Sequence, residues 1–300
     1  NRAIGGAYAP GSTFKMLTAI ASLEEGIITP YDTIKDEGIY RFYAPSYTPV
    51  CWIWDDYHRT HGVINVSDEL KVSCNYFFYD TGRRLGIDKL NQYGRKFGLG
   101  ELTGVELSGE SKGILAGPQI NKKLWNEDWY PGHTLQAAIG QQRHMFTPIQ
   151  LASYVSTIAN GGKRYKTHLT KAVRSHDDGK KIKELQPEVL EDVKMKPANW
   201  KAVMEGMRSV TEDGTASAVF QNFPISVGGK TGTAQVPKGS ANGVFVAFAP
   251  YDNPQIAVAV IVEHGGHGNY TAPVARDIFA HYLGVTKGQP DDFTVNTLTR

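Results

Sequence analysis

Three short groups of residues carry side chains that suit nucleophilic catalysis, and the first is Ser12 with Lys15. These residues lie three apart where a helix is predicted to begin, so their side chains share one helix face. A serine hydroxyl needs a nearby base at neutral pH, and a lysine with a lowered pKa in a dry site can be that base. The helix N-terminus also points backbone N–H groups toward an oxyanion on the attacked carbonyl. By itself, the pair is more typical of a helix N-cap followed by a surface lysine.

The second group is Ser73 and Asn75, in a Ser-Cys-Asn tripeptide that interrupts a predicted helix. Side chains two apart at a loop or strand end point the same way. A hydroxyl and an amide placed so can relay a proton to a leaving group and hold a substrate amide. Alone, the tripeptide is typical of a polar kink between helices.

The third group lies in the segment GGKTGTA at residues 228–234, where an edge strand is predicted to begin. Lys230 offers a positive charge for a carboxylate, and Thr231 and Thr233 offer hydroxyls. Gly232 lets a ligand backbone approach closely. A peptide can then bind as an added strand, with the Thr233 N–H completing an oxyanion hole. The alternatives are a simple turn and a phosphate loop, but the glycine pattern that precedes a P-loop is absent.

Helical periodicity and capping residues predict the elements that must position these groups. A helix is predicted over residues 13–25, with Ser12 at its start and Gly26 just past its end. The other predicted elements are an irregular segment at 31–54, an interrupted helix at 67–85, helices at 88–97, 148–159, 197–210 and 272–283, a hairpin around Asp178-Gly179, and antiparallel strands at 244–249 and 256–263. Because strands come late and do not alternate with helices, we predict an α+β fold with a mostly antiparallel sheet flanked by helices.

The composition is that of an ordinary globular protein with a sizeable core. The chain has 300 residues, of which 41% are hydrophobic and 21% charged. Its formal net charge of +2 gives no support for a nucleic-acid partner, so none is expected. The sequence begins at Asn1 without an initiator Met, and we interpret it as a fragment or a processed form.

Taken together and in this order, the three groups form the signature of serine penicillin-recognising enzymes. The chain resembles the class B penicillin-binding proteins, which are monofunctional peptidoglycan D,D-transpeptidases. Matching segments run along nearly the whole chain: YAPG at 8–11, FGLG at 97–100, TGVEL at 103–107, AIGQ at 138–141, TPIQL at 147–151, NGG at 160–162, GTA at 214–216 and FAP at 248–250. The resemblance implies a transpeptidase catalytic domain over residues 1–284, and the polar composition predicts a loose tail over 285–300.

The resemblance also implies an acyl-transfer reaction. Ser12 would attack the penultimate D-Ala carbonyl of a stem peptide and expel the terminal D-Ala, with Lys15 as the base. An amine of a neighbouring stem would then resolve the acyl-enzyme, and β-lactams would acylate Ser12 as substrate mimics.

The remaining site residues take their roles from the same resemblance. Ser73 and Asn75 would flank the leaving group, with the charge of Lys230 behind them. Thr231 and Thr233, with Gly232 between them, would bind the substrate carboxylate. Backbone N–H groups of Ser12 and Thr233 would form the oxyanion hole.

The expected partners are peptidoglycan stem peptides, β-lactams, a membrane glycosyltransferase, and proteins of cell elongation or division. Family domains begin with sheet strands ahead of the segment that resembles residues 1–4. We therefore expect these strands on an N-terminal segment of the same protein. The expected location is the extracytoplasmic face of the bacterial cell membrane, with a helix of that segment as the anchor.

A separate run, CWIWDDYHRTH at residues 51–61, concentrates metal-binding side chains. The four candidate ligands are Cys51, Asp55, His58 and His61, with Asp56 as an alternative to Asp55. Their spacing puts them on roughly one face of a short helix or turn, and their chemistry fits a tetrahedral Zn²⁺. We predict a structural zinc, because serine and lysine chemistry requires no cofactor. The alternative is a polar aromatic loop with surface histidines.

Ligation of zinc by Cys51 would exclude a disulfide with Cys74, the other cysteine of the chain. Cys74 itself is expected to be packed and chemically inert.

Three other functions share part of the signature: a serine β-lactamase, a non-catalytic β-lactam sensor and a D,D-carboxypeptidase. A class A β-lactamase needs a glutamate that activates water between the second and third groups. Glu106, Glu110 and Glu127 lie in this interval, but none stands in a recognisable pattern. Sensor domains resemble class D β-lactamases more closely, whereas a carboxypeptidase differs only in its acceptor.

Overall fold

The computed structural model describes residues 1–285, so the tail predicted over 285–300 lies outside the described residues except for Val285. The helices are α1 (Arg2–Gly5), α2 (Lys15–Glu24), α3 (Trp52–Tyr57), α4 (Val66–Val72), α5 (Asn75–Leu85), α6 (Ile87–Lys96), α7 (Pro118–Trp125), α8 (Pro131–Ala138), α9 (Pro148–Ala159), α10 (Pro197–Glu212), α11 (Ser217–Phe220) and α12 (Ala272–Tyr282). The strands are β1 (Ile34–Asp36), β2 (Gly62–Ile64), β3 (Lys163–Tyr165), β4 (Ala172–Arg174), β5 (Lys181–Glu184), β6 (Val189–Asp192), β7 (Gly228–Ala234), β8 (Asn242–Ala249) and β9 (Ile256–Val262).

The main sheet consists of β7, β8 and β9 in that order, all antiparallel. The register places Thr231 opposite Phe245 on β8, and Phe245 opposite Val260 on β9. Three smaller ladders pair β1 with β2, β3 with β6, and β4 with β5, also antiparallel. The predicted α+β class with antiparallel sheet is therefore confirmed, and β7 is an edge strand, as predicted.

Strand β8 separates two cores because all eight of its residues are buried. Side chains alternate along a strand, so its two faces enter different layers. Val246 and Phe248 pack into the large helical core, whereas Phe245 and Ala247 pack into a smaller core with α11 and α12. The sheet is thus covered by helices on both faces.

Helix α2 lies at the centre of the large core. Every residue from Lys15 to Leu23 is buried, as expected for a helix enclosed on all sides. Helices α4, α5, α6 and α10 pack around it. The side chains at its N-terminal end are therefore held by tertiary contacts.

One predicted helix differs locally from expectation, and a second is interrupted where predicted. The helix predicted over 13–25 opens as a 3₁₀ turn at Gly11–Phe14, and its α-helical part is Lys15–Glu24. Ser12 thus lies inside the turn, because the Gly11 N–H donates to the Gly140 carbonyl and fixes the chain entry there. The segment predicted over 67–85 is two helices, α4 and α5, which Ser73 separates in a left-handed conformation.

The remaining predicted elements are present with small boundary changes. Strands β4 and β5 form the predicted hairpin, with Gly179 at a φ of 67° in its turn. Over the described residues, no helix is both long and apolar enough to cross a membrane.

Candidate active site

All three predicted groups contribute side chains to one cavity of about 800 Å³. Its lining includes Ser12 from the first group, Ser73 and Asn75 from the second, and Thr231 and Thr233 from the third. These residues come from the 3₁₀ turn before α2, the break between α4 and α5, and the edge strand β7. The structure therefore brings together segments more than two hundred residues apart in sequence.

Ser12 is positioned by close backbone contacts of Gly11. Gly11 has a φ of 53°, and its N–H donates to the Gly140 carbonyl at 3.0 Å. A Cβ placed on Gly11 would lie only 2.6 Å from the Thr233 carbonyl oxygen. Glycine is therefore required at position 11, because a side chain there would keep β7 from approaching the Gly11–Phe14 turn this closely.

Lys15 is fully buried behind the cavity and bonds to the second group. Its Nζ donates to the Ser73 carbonyl at 2.8 Å and to Asn75 Oδ1 at 2.6 Å, and it lies 3.4 Å from Ser73 Oγ. Burial lowers the pKa of Lys15 to about 8, although nearby anionic groups oppose this shift. At pH 7 about one Lys15 amine in ten is therefore uncharged.

The second group occupies the turn between α4 and α5. Ser73 ends α4 at a φ of 59°, Cys74 is the N-cap of α5, and Asn75 is the first residue of α5. A left-handed conformation at a non-glycine residue is uncommon and is often found at functional sites. This conformation directs both the carbonyl and the side chain of Ser73 toward Lys15.

A buried carboxyl that the sequence analysis missed, Glu69, lies on α4 one turn before this break. Both of its carboxyl oxygens are buried without a hydrogen-bond partner among the described residues. Burial raises the pKa of Glu69 well above its ordinary value, and the nearby Cys74 thiol, followed by the charge of Lys15, opposes the shift. No pattern in the sequence distinguishes this residue from the exposed acids of an ordinary helix.

Lys230 is the second buried lysine of the site, and its Nζ donates to the Thr231 carbonyl at 3.2 Å. Burial, followed by the charge of Lys15, lowers the pKa of Lys230 well below its ordinary value. A Cβ on Gly232 would lie 2.6 Å from the Pro10 carbonyl, so β7 again packs directly on the nucleophile turn.

The hydroxyls of the third group are fixed by neighbours with no predicted role. Thr231 Oγ1 lies 2.8 Å from Thr215 Oγ1. The Gln141 side chain donates to the Thr233 carbonyl at 3.0 Å, and the Gly268 N–H donates to Thr233 Oγ1 at 3.3 Å. Thr215 and Gln141 lie in segments that match the family, but their types alone did not identify these contacts.

A candidate metal-binding group lies beside the second of the three groups, and it differs from the predicted ligand set. Its members are Asp36, Cys51, His61 and Cys74, whose ligand atoms all lie within 4.8 Å of one another. Cys51 Sγ lies 3.5 Å from Cys74 Sγ and 3.6 Å from His61 Nδ1, and His61 Nδ1 lies 2.8 Å from Asp36 Oδ2.

The pKa values within this group are shifted by the same contacts. The hydrogen bond from the Cys74 thiol lowers the pKa of Cys51 to about 5. Burial alone would lower the pKa of His61, but its contacts with Asp36 and Cys51 raise it to about 9.

The predicted ligand set is therefore corrected at two of its four positions, Asp55 and His58. Cys51 precedes α3 as its N-cap, and His58 ends this helix in a left-handed conformation with its ring against the Trp54 carbonyl. Asp55 and its alternative Asp56 instead line the catalytic cavity. The helical spacing assumed in the prediction does not extend across either end of α3.

Asp36 and Cys74 replace them and come from distant segments. Asp36 ends β1, which pairs with β2 directly after His61, and Cys74 comes from the turn before α5. Cys74 was predicted to be inert, and Asp36 was not considered. A short sequence window contains no signal for either residue, because the ladder of β1 and β2 places Asp36 and the turn before α5 places Cys74.

Comparison with known proteins agrees with this geometry. A family model described as the penicillin binding protein transpeptidase domain matches residues 1–281. The peptidoglycan D,D-transpeptidases MrdA of Acinetobacter baumannii and of Escherichia coli K12 are each 33% identical, over 97% and 94% of this chain. The chain spans about half the length of these curated relatives, 44% and 46% respectively.

Solved structures show the same similarity. PBP2 of Pseudomonas aeruginosa in complex with WCK 5153 superposes with a TM-score of 0.85 at 34% identity, covering 99% of this chain and 66% of that one. PBP2 of Helicobacter pylori in complex with MreC gives 0.80 at 29% identity, covering 95% and 51%. The resemblance inferred from the three motifs is thus confirmed, and the chain belongs to the penicillin-binding protein transpeptidase family.

Proposed function

We propose that this chain is the catalytic domain, residues 1–284, of a serine D,D-transpeptidase that cross-links peptidoglycan. The supporting observation is that Ser12, Ser73, Asn75, Thr231 and Thr233 line one cavity. The buried amine of Lys15 connects the first group to the second behind that cavity. This arrangement supplies a nucleophile, a base and a carboxylate-binding strand in one place.

Lys15 acts as the base that activates Ser12. A neutral amine has two N–H bonds and one lone pair. The Ser73 carbonyl and Asn75 Oδ1 are strong acceptors for the two N–H bonds. The lone pair then remains free to take the Ser12 proton as the hydroxyl attacks the penultimate D-Ala carbonyl.

Substrate binding falls to the edge strand β7. The donor peptide adds to this edge as a further strand, and its terminal carboxylate meets the hydroxyls of Thr231 and Thr233, with Gly232 between them. Lys230 lies behind them, where a bound carboxylate would favour its charged form, and Ser73 and Asn75 flank the leaving D-Ala. The N–H groups of Ser12 and Thr233 stabilise the oxyanion.

A class A β-lactamase is the less well supported alternative. Glu106, Glu110 and Glu127 have other partners: Glu106 accepts from the Leu169 N–H, Glu110 from Thr103, and Glu127 from Arg143. Each lies outside the described lining of the cavity. These contacts hold the three carboxylates away from the cavity, where they cannot activate a water at the acyl-enzyme.

Intact-mass spectrometry with a penicillin tests the nucleophile and the lifetime of its adduct. We expect one adduct per chain that persists for hours. Ser12→Ala should abolish it, whereas the exposed serine variant Ser108→Ala should retain it. An adduct that vanishes within seconds would indicate a β-lactamase, and an adduct that survives Ser12→Ala would disprove the assignment of the nucleophile.

The acceptor is tested separately with a pentapeptide stem donor. Release of D-Ala with formation of a cross-linked product, when an amine-bearing stem is added, is the expected result. Release of D-Ala with only the hydrolysed tetrapeptide as product would favour a D,D-carboxypeptidase.

We further propose that Asp36, Cys51, His61 and Cys74 hold a structural Zn²⁺. Two thiolates, an imidazole and a carboxylate are a suitable tetrahedral set. Sulfurs bound to a tetrahedral zinc lie about 3.8 Å apart, close to the 3.5 Å seen here. The ion would join β1, the start of α3 and the turn that carries Ser73 and Asn75, without taking part in acyl transfer.

Metal analysis of the purified chain tests this assignment. One zinc per chain is expected, with loss in Asp36→Asn and Cys74→Ser. His58→Asn is the matched control, because asparagine tolerates the left-handed conformation of His58 and the ion should remain bound. Zinc that is lost in His58→Asn but kept in Asp36→Asn would restore the original ligand set.

The whole protein is proposed to act at the extracytoplasmic face of the cell membrane, together with a glycosyltransferase and elongation or division proteins. The P. aeruginosa and H. pylori structures are complexes with WCK 5153 and MreC, respectively.

Strand β9 pairs with β8 along one edge, and within residues 1–285 its other edge has no partner strand. Strands of an N-terminal segment are proposed to pair there. Protection of the β9 amides from hydrogen exchange only when that segment is present would support the pairing.

A further inference from the structure

The two cysteines of the metal-binding group are close enough to react with each other. Cys51 Sγ and Cys74 Sγ lie 3.5 Å apart and are in direct contact with each other. They are the only cysteines of the chain. Both are fully buried, so a large protein oxidant cannot reach them in the folded state.

The catalytic cavity gives a small oxidant a route to this pair. Val50 and Trp52 flank Cys51, Ser73 and Asn75 flank Cys74, and all four line the cavity. Each thiol therefore belongs to a buried residue whose two sequence neighbours line the cavity. A peroxide molecule is about the size of two waters, and a cavity of about 800 Å³ admits it easily.

We propose that Cys51 and Cys74 form a reversible disulfide when no metal is bound, and that this disulfide inactivates the transpeptidase site. With hydrogen peroxide as the oxidant, one thiolate attacks the O–O bond, forms a sulfenic acid and releases hydroxide. The second thiol attacks that sulfur, breaks the S–OH bond, and water leaves. In sum, two thiols and one peroxide give one disulfide and two waters.

The disulfide and the metal exclude each other because they use the same two sulfurs. Oxidation leaves only Asp36 and His61, which are too few ligands for a structural zinc. This protective role of the ion rests on the zinc site proposed above. The cross-link itself depends only on the distance between the sulfurs.

The effect on catalysis follows from the position of Cys74 within the second motif. Closing the sulfurs from 3.5 Å to about 2.05 Å displaces one or both cysteines by about 1.5 Å in total. Cys74 lies directly between Ser73 and Asn75, the two residues that bond Lys15. A displacement of about 1 Å at such groups can cost about a hundredfold in rate, so we expect the acylation rate to fall tenfold to a hundredfold.

The test compares the zinc-loaded chain with the chelator-treated chain, each exposed to hydrogen peroxide. In the metal-free sample we expect loss of both titratable thiols, a mass decrease of about 2 Da, and a Cys51–Cys74 peptide in a non-reducing digest. Penicillin acylation should fall in parallel and return after dithiothreitol. The zinc-loaded sample should keep both thiols under the same exposure.

Control variants separate a cross-link from general oxidation. Cys51→Ser and Cys74→Ala each leave one thiol, so they should gain about 16 or 32 Da per chain. If the wild-type metal-free chain also gains oxygen without a cross-link, the disulfide proposal is overturned, whatever the folding state of the variants. A cross-linked chain that is acylated at the rate of the reduced chain would overturn the inactivating effect.

The outcomes also distinguish this proposal from those on which it builds. A cross-link that forms equally fast with zinc present would remove the protective role and leave the disulfide intact. Reduced chain that forms the Ser12 adduct but no disulfide would leave the transpeptidase assignment standing alone.

Discussion

The contact between Gly140 and Gly11 fixes the position of the nucleophile, and Gly140→Ala tests this directly. Gly140 has a φ of 77°, and a Cβ placed on it would lie 2.0 Å from the Gly11 carbonyl oxygen. Non-bonded atoms of this kind rest about 3.5 Å apart, so the two segments would have to separate by about 1.5 Å. Ser12 follows Gly11 directly and must move with it.

Gly26→Ala is the matched control for this variant. Gly26 also has a left-handed φ, of 69°, but a Cβ there meets nothing within 4 Å. It should therefore cost only the left-handed penalty of about 1–2 kcal/mol. Gly140→Ala adds an overpacking cost of about 1–3 kcal/mol, for a total of about 2–5 kcal/mol.

Urea unfolding and acylation by a fluorescent penicillin measure the two consequences separately. Per folded molecule, we expect Gly26→Ala to react at the wild-type rate. Gly140→Ala should react about a hundredfold more slowly, because a shift of about 1 Å is enough for such a loss. Equal rates for the two folded variants would refute the view that this backbone contact positions Ser12.

Three further predictions follow from buried groups. Burial lowers the pKa of Lys15 to about 8, so the acylation rate should rise about tenfold per pH unit below that value and level off above it; a flat profile between pH 6 and 9 would exclude Lys15 as the base. Burial also lowers the pKa of His144 to about 3. Uncharged His144 therefore makes its full contribution to the free energy of unfolding above about pH 6.5. Below that pH the contribution falls by about 1.4 kcal/mol per pH unit until the pKa of the folded state is reached. Urea titrations at several pH values should show a shallower acid loss in His144→Gln but not in the exposed variant His176→Gln. Thr147 caps α9 by accepting from the Gln150 N–H, so Thr147→Ala should cost about 1 kcal/mol in urea unfolding, whereas Thr33→Ala on the exposed surface should cost little.

The residues of the three groups could be proposed from the sequence because each motif carries its chemistry within a few residues. Ser12 and Lys15 lie three apart at the start of a helix, and Ser73 and Asn75 share one turn. The residues that hold these motifs together were not predictable in the same way. Gly140 belongs to a segment matched to the family, but the need for glycine arises from a carbonyl more than a hundred residues away in sequence.

The metal-binding group shows the same limit. Cys51 and His61 were identified from a single cysteine- and histidine-containing run, and both belong to the observed group. Asp55 and His58 were chosen because helical spacing was assumed across residues 51–61. The helix in fact covers only Trp52–Tyr57, so the other two members of the candidate group come from β1 and from the turn before α5.

Several of the proposed site residues lie where regular secondary structure begins or ends, and tertiary contacts hold them there. Ser12 lies in a 3₁₀ turn, Ser73 in a left-handed break, and Cys51 ahead of a short helix. Helical hydrogen bonds fix such positions only in part, because some backbone groups at a helix end have no partner within their own element. The bonds of Lys15 to the second motif and the contact of Gly11 with Gly140 add to them. A metal at Cys51 and Cys74 would act in the same way, by tying two of these breaks together. Loss of the ion is therefore expected to impair acylation before it unfolds the domain.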